Sequence, residues 1–472
     1  MAYETQQEHS PLRRLRTFVS EAVSDNETDL TVGPINRALG LLAIPMMLEM
    51  GMEAIFAVVD IAFVSRLGTN AIAAVGLTEA LVTVLYAIAI GLGMGVTAMI
   101  SRRIGAKDPI AAAYVMGQAI WVGAGLAIVI GIFGAIYAAD LLRLMGASED
   151  VIREGKSFTA ILLGGNASIL YLFLLNAGFR GAGDAPVALR SLTLANGMNI
   201  ILDPCLIFGL GPFPEMGVAG AAVATTIGRG IGVLYLFWYL FGGKGRLKFR
   251  WRNLAISPDL IRRMLSISIG GIGQFLIATS SWIAIMRVVA LYGSAPIAAY
   301  TIALRLIEFV FLPAWGLGNA AATLVGQNLG AGKPERAEKA VWLASRYNLI
   351  FMSVLGAIFV ILAPVIVALF TSDEEIHRYG VNCLRILEVG YPVYAVGMIM
   401  IQAINGAGDT RTPSLLNFIC FWIVQIPLAY WLATAAGMGP NGVFLSIVVS
   451  ESLLSVLGVI LFRRGGWRLQ EV

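Results

Sequence analysis

Glu49, Glu53 and Asp60 stand within a single apolar run, residues 38–65. At ~100° per residue, Glu49 and Glu53 lie ~40° apart on a helix and Asp60 falls between them, so all three share one narrow stripe. A second apolar run, 188–210, holds Asn199 and Asp203 one turn apart, followed directly by Pro204, and a third, 217–241, holds Thr225. Ionisable groups inside such runs are costly and functional by default. Two carboxylates, an amide and a hydroxyl are the right chemistry to coordinate a small hard cation or to share a proton. Like charges in a low dielectric favour the binding of one cation between them.

The elements that position these groups are helices in a bilayer. Apolar residues make up 58% of the chain and charged residues 13%, more apolar surface than a soluble protein of this size can hide. Runs of ~20 apolar residues match the ~30 Å hydrocarbon core. Six segments fall in the first half, at 38–65, 71–100, 112–137, 157–179, 188–210 and 217–241. Six more follow at 264–291, 297–328, 341–370, 382–404, 414–436 and 440–462. The expected fold is therefore an all-α integral membrane protein with twelve transmembrane helices. The three cysteines, Cys205, Cys383 and Cys420, lie inside apolar runs and imply no disulfide framework. His9 and His377 are too far apart to build a metal site, and no nucleophile–base constellation suggests an enzyme.

The connections alternate in charge. Arg102, Arg103 and Lys107 follow the second span, Arg180 and Arg190 flank the fourth connection, and Lys333, Arg336 and Lys339 follow the eighth span. By the positive-inside rule the even-numbered connections and both termini are cytoplasmic, which fits a multi-pass protein of the plasma membrane. The balance of +4 then reflects topology, not nucleic-acid binding. The expected organisation is a cytoplasmic tail (1–37), a six-helix lobe (38–243), a basic linker (244–263), a second six-helix lobe (264–465) and a short tail (466–472). The linker's cations read as a topology determinant, with a regulatory or lipid-binding patch as the alternative. Residues 11–24 read as a short amphipathic helix on the inner membrane surface or as a disordered tail.

The two halves are copies of each other. Gly68, Gly91, Gly105, Pro109 and Gly181-Ala182-Gly183-Asp184 recur, at an offset of 225, as Gly293, Gly316, Gly330, Pro334 and Gly406-Ala407-Gly408-Asp409. Both halves have six spans and the same orientation, so they are parallel repeats, an arrangement that suggests a transporter with its pathway between them. With that topology Asp60 lies ~32 Å from the inner end of its helix, Asp203 ~22 Å from the inner end of its own, and Thr225 ~12 Å from an outer end. All three fall in the outer half of the bilayer. The repeat also serves as an internal control. Asp60 maps onto Ile285 and, with Pro204 aligned on Pro427, Asn199 maps onto Trp422 and Asp203 onto Ile426. A purely structural role in the repeat is expected to recur in both copies, and these polar groups do not, which favours a functional role over the alternative of a satisfied interhelical hydrogen-bond network.

The segments VVDIAFVSRLG, GLGMGVTAMISRRIGAKDP, FRGAGDAP, NIILDP and GVAGAAVATT resemble the multidrug and toxic compound extrusion (MATE) transporters. Their second-half partners, FLPAWGLGNAAATLVGQNLGAGKP and INGAGDTRTP, do so too. The resemblance implies two lobes in a V around a central cavity. It also implies export of small-molecule organic cations or drugs in exchange for H⁺ or Na⁺, with no other cofactor and the chain acting as a monomer. It places the cation-coupling site at Asp60, Asn199, Asp203 and Thr225, with Na⁺ as the alternative ion at the first three. Two departures stand out. Glu49 and Glu53 are not typical of the family and suggest an extended acidic path, and the acid that another branch carries on its seventh helix is Gln274 here.

Other residues carry weaker signals. Pro45 removes a backbone hydrogen bond and permits a kink that protonation at Asp60 would bias. Arg305 and Glu308, three residues apart in the eighth span, read as an intrahelical ion pair or as a contact for a cationic substrate. Phe275, Trp282, Tyr300, Phe309, Phe311, Trp315, Tyr391, Tyr394 and Trp422 suit lipophilic cations by their aromatic faces, with packing or interface anchoring as the reading for most of them. Two competing functions remain. A lipid-linked oligosaccharide flippase of the same superfamily would concentrate Arg and Lys in its cavity, whereas the buried charges noted here are acidic. A non-transporting receptor or scaffold does not account for the repeat.

Overall fold

The structure, a computed structural model, describes residues 11–24 and 28–472, except the side chains at 11, 12, 14, 15, 57–62, 64 and 65. The expected stripe therefore keeps its backbone throughout, but the Asp60 side chain lies outside the described residues. The first lobe consists of α2 (Ile35–Val64), α3 (Thr69–Gly105), α4 (Pro109–Ile136), α6 (Glu149–Gly164), α7 (Ala167–Ala182), α8 (Ala185–Phe208) and α9 (Val218–Phe241). A short α1 (Pro11–Val23) precedes it, and α5 (Ala138–Leu144) caps one connection. The second lobe consists of α10 (Pro258–Val289), α11 (Ser294–Gly330), α12 (Pro334–Ala368), α13 (Glu374–Val389), α14 (Tyr391–Gly406), α15 (Arg411–Asn417), α16 (Ile426–Thr434) and α17 (Pro440–Arg464). These helices make eleven spans, or twelve when α13 and α14 are joined.

Local sequence explains the element ends. Asp108 caps α4 by accepting from Ala111 N at 2.8 Å, with Pro109 in the first turn where its missing N–H is not needed. Gly183 and its repeat mate Gly408 sit at φ 91° and 98°, a left-handed turn that a side chain would strain. The aspartates after these glycines take different partners. Asp409 accepts from Thr412 N at 3.0 Å, and Asp184 accepts from Arg246 N at 2.8 Å, tying the linker to the first lobe.

Two expected single spans are interrupted. The fourth divides at Gly165-Asn166 and the tenth at its repeat mate Gly390, where α13 and α14 meet at 54°. The eleventh span passes through a π-helical stretch, Phe418–Gln425, ahead of Pro427, whereas α8 runs unbroken through Pro204. The lobes therefore diverge in backbone at the positions where Asn199 and Asp203 lose their polar counterparts. α2 likewise continues through Pro45 without interruption.

The lobes meet along a pseudo-twofold seam of glycines. A Cβ on Gly105 would strike the carbonyl of Gln327, and one on Gly330 would strike the carbonyl of Arg102. Gly91 lies equally close to Ile272, and Gly316 to Met46 and Met47. Arg102 and Gln327, like Met47 and Ile272, are repeat mates at the same offset of 225. One contact is thus made twice with the lobes exchanged. Thr323 and Gln327 add hydrogen bonds to the carbonyls of Arg180 and Gly181 at 3.3 and 3.1 Å. The Gly105 and Gly330 contacts lie at the end of the molecule that carries the basic connections, and those of Gly91 and Gly316 lie about four turns deeper.

Among the described residues, segments near both ends of the chain are tied to that basic face. Lys107 pairs with Asp29 at 2.6 Å, Arg246 reaches the Thr28 carbonyl at 2.8 Å, and Lys333 reaches that of Thr31 at 2.9 Å. Arg336 holds the carbonyls of Leu30, Val32 and Gly33. Residues 28–33 are thus a strap across both lobes, fastened by cations that charge counting assigns to topology alone. At the other end Trp467 is buried and stacks on Phe462 at 4.8 Å. α1 is helical and packs Phe18 over Gly40 of α2. The second lobe also starts earlier than expected, α10 beginning at Pro258 inside the expected linker.

Candidate functional site

A cavity of about 560 Å³ lies between the lobes, on the far side of the glycine seam from the basic face. α2, α3 and α9 supply Glu49, Glu53, Glu79, Tyr86, Thr225 and Arg229, and α10 and α11 supply Phe275, Trp282, Arg305, Glu308, Phe311 and Trp315. Four of the nine aromatics singled out in the sequence, Phe275, Trp282, Phe311 and Trp315, line it. The others do not. Tyr300 and Tyr391 are buried among helices, Tyr394 donates to the Ile447 carbonyl, Trp422 donates to that of Ile277, and Phe309 is exposed outside the cavity lining.

Glu49 and Glu53 of α2 are not bare carboxylates. Glu49 accepts from Arg180 Nη1 at 2.7 Å, with both side chains nearly sealed from solvent. Glu53 accepts from Asn196 Nδ2 at 3.2 Å and faces Arg229 Nη2 at 3.8 Å. Arg229 in turn lies 5.5 Å from the Tyr86 ring, a cation–π distance. The expected acidic path is thus a ladder of compensated charges, because a buried carboxylate needs a partner. Arg180 is part of that ladder and not only a connection charge. Arg229 is absent from the sequence expectations, although a lone charge in the apolar run 217–241 is the same signal that singles out Glu49.

Behind the α9 wall of the cavity, Asn199, Asp203 and Thr225 come together. With the Asn199 amide oriented to satisfy both ends, Nδ2 donates to Asp203 Oδ2 at 2.7 Å and Oδ1 accepts from Thr225 Oγ1 at 3.0 Å. Asp203 and Asn199 are buried, while Thr225 also borders the cavity. α8 and α9 are held close at this level by Gly228, where a Cβ would meet the Ala195 carbonyl at 2.7 Å. The cluster links an enclosed carboxylate to the cavity wall through two hydrogen bonds.

The second lobe answers with amides. Asn405 donates to Gln274 Oε1 and to Gln402 Oε1, and Gln402 donates to Asn319 Oδ1, each at 3.1 Å. Gln274 is therefore part of a neutral network. This lobe still holds a buried acid that the sequence reading passes over, Glu388, packed against Gly356 at the kink between α13 and α14 and away from the cavity. Arg305 and Glu308 face each other loosely on α11, Nη1 and Oε2 4.0 Å apart and both side chains 48% exposed. They are cavity-wall charges in contact with solvent, not a buried pair.

Comparison with known proteins gives a consistent picture. The MatE family pattern matches residues 45–205 and, a second time, residues 272–431. The chain is 26% identical to the probable multidrug resistance protein NorM of Thermotoga maritima, over 93% of this chain and 95% of that one. It is 27% identical to the FAD transporter of Shewanella oneidensis, over 92% and 96%. A crystal structure of a MATE protein in the straight conformation superposes with a TM-score of 0.88 at 26% identity, covering 94% of this chain and 98% of that one.

Proposed function

From the premise that this chain belongs to the MatE family of multidrug transporters, we propose that it is a secondary antiporter, not an enzyme. In this reading it exports organic cations and related drugs across the plasma membrane in exchange for H⁺. The basic face is cytoplasmic by the charge rule, so a cavity sealed on that face and lying beyond the seam is the outward-facing half of an alternating-access cycle. Among the described lining residues four Glu face three Arg, a formal excess of one negative charge that favours a cationic substrate among the aromatic rings.

The observation that carries the coupling proposal is Thr225, which borders the cavity and bonds to Asn199, itself bonded to the buried Asp203. Asp203 and Asp60 would carry the exchanged proton, with Asn199 and Thr225 holding Asp203 in place. The three described side chains are engaged with one another, which leaves few oxygens for a bare Na⁺ and supports H⁺. The test is flux in proteoliposomes loaded with a lipophilic cation. A proton gradient alone should drive export; export driven by a sodium gradient at fixed pH, and not by protons, would overturn the choice of ion.

A second reading, export of an anionic substrate, is favoured by Arg305, whose loose pairing leaves it open to the cavity. The relative that transports FAD gives a probe. Export of FAD in preference to the lipophilic cation, in the same vesicles, would replace the cation reading.

A further inference from the structure

Apart from the cavity, a groove of about 660 Å³ runs between the start of α10 and α15. Its walls are apolar: Ile256, Ile261, Leu265 and Ile269, with Ile256 and Ile269 63% and 67% exposed. Side chains so open on a membrane-embedded helix face acyl chains. At the basic end of the groove stand Arg262 and Arg411, both exposed, with Ser266 and Ser414 between them. Arg411 Nη2 donates to Ser266 Oγ at 3.2 Å, and neither arginine forms an ion pair among the described residues. The nearest acid along α10 is Asp259, in its first turn, while Arg263 beside it faces Arg102 and Arg103 as like charges.

We propose that this groove binds one anionic phospholipid of the cytoplasmic leaflet, its phosphate held by Arg262 and Arg411 and one acyl chain along Leu265 and Ile269. The geometry matches such a ligand from end to end. Ile269 lies seven residues beyond Arg262, ~10 Å deeper along the helix, so cations meet the headgroup level while the apolar wall meets the hydrocarbon. Two uncompensated cations at a lipid-facing rim are electrostatically complementary to a phosphate diester and its anionic headgroup. Ser266, whose oxygen accepts from Arg411, adds one hydroxyl donor at the same level, while Ser414 donates to the carbonyls of Gly270 and Thr410 and only lines the groove. The site lies where the inter-lobe linker enters α10. The inference rests on membrane embedding and on the position of the basic face, not on the transported substrate.

The test uses the purified full chain in detergent, titrated with phosphatidylglycerol or phosphatidylcholine of identical acyl chains and followed by native mass spectrometry. The wild type should retain one phosphatidylglycerol that the double variant Arg262→Gln/Arg411→Gln binds about thirty-fold more weakly, the loss expected for two surface cations. Phosphatidylcholine should show no such difference, and inorganic phosphate should not compete. Ile269→Trp keeps both cations and fills the groove; it should lose the same lipid. Arg463→Gln/Arg464→Gln, cations at the end of α17, should not. Equal retention by wild type and the Arg262/Arg411 variant overturns the proposal, as does phosphatidylcholine bound as tightly as phosphatidylglycerol. Retention by Ile269→Trp would overturn the groove by leaving only a charged surface. Binding in detergent needs no transport, so the result stands apart from any failure of the antiport reading.

Discussion

Arg180 donates to Glu49 at 2.7 Å, and at the same two repeat positions of the second lobe Asn405 donates to Gln274 at 3.1 Å. Each residue of the first pair lies 225 positions before its counterpart in the second. One backbone geometry therefore holds an ion pair in one lobe and an amide pair in the other. The lobes differ in charge at a site where they agree in structure, which makes the asymmetry a chemical one.

This relation yields a transplant experiment. Glu49→Gln alone strands a buried guanidinium, and removing one partner of such a pair costs about 3–5 kcal/mol. Folded yield and melting temperature in detergent should fall. Adding Arg180→Asn recreates the second lobe's pair in the first and should restore most of the loss. If the double variant melts no higher than the single one, the two sites are not equivalent.

The glycine seam makes a symmetric prediction. Gly105→Ala and Gly330→Ala each push a methyl group into a carbonyl of the opposite lobe, and overpacking of this kind costs about 1–3 kcal/mol. Both variants should weaken the seal on the basic face to a similar degree, read as greater labelling of cavity cysteine probes by reagents added on that side. Gly125→Ala, with open space around it, should label like the wild type. Unequal responses from Gly105 and Gly330 would contradict the pseudo-twofold seam.

Much of this architecture is legible in the chain because the repeat and the hydrophobic spans are global signals. Gly105 and Gly330 are visible as repeat mates before any contact is known, and close helix packing explains why no larger residue replaces them. Partners are harder to read. Nothing local to Glu49 points to Arg180, and nothing local to Glu53 points to Arg229, since helices distant in sequence bring them together. The same limit hid the strap at 28–33, whose binding uses backbone carbonyls that every sequence possesses. The π-helical stretch ahead of Pro427 also escapes pattern reading, because its apolar residues fit an ordinary helix equally well.

The strap has a pH signature. The Lys107 ammonium bonded to Asp29 holds that carboxyl well below its ordinary value of 3.8. A depressed carboxylate stabilises the folded state fully above that ordinary value and loses the contribution as pH falls through the folded-state value. Asp29→Asn should therefore melt slightly below the wild type at neutral pH, the pair being largely solvent-exposed. The gap should persist down to about pH 4 and close only in stronger acid. A gap that closes between pH 7 and pH 5 would assign the effect to another group.

Glu308 should behave as a substrate contact. Half exposed and 4.0 Å from Arg305, it leaves no buried charge behind when neutralised, and exposed pairs are worth about 0–1 kcal/mol. Glu308→Gln should thus fold in normal yield and change the relative export of cationic and anionic dyes. A collapse in yield, rescued by Arg305→Gln, would return the pair to a structural role.

The decisive variants are Asp203→Asn and Asp60→Asn. Asp203 is enclosed, bonded to Asn199 and joined through it to Thr225 on the cavity wall. Asp60 rides on the same helix as Glu49 and Glu53, and both aspartates map onto isoleucine in the second lobe. A coupling group must change charge during the cycle, and an amide does not. Each variant should insert and fold, since asparagine keeps the size and most hydrogen bonds of aspartate. Gradient-driven export should nevertheless fall to background, and its dependence on pH should flatten once the titrating pair is gone. Binding of a lipophilic cation should survive in part, because the cavity walls are untouched. Thr225→Val should be milder, loosening Asn199 without removing a titrating group. Full export with an unchanged pH profile in both aspartate variants would remove the first lobe from the coupling mechanism and direct attention to Glu388, the buried acid of the second.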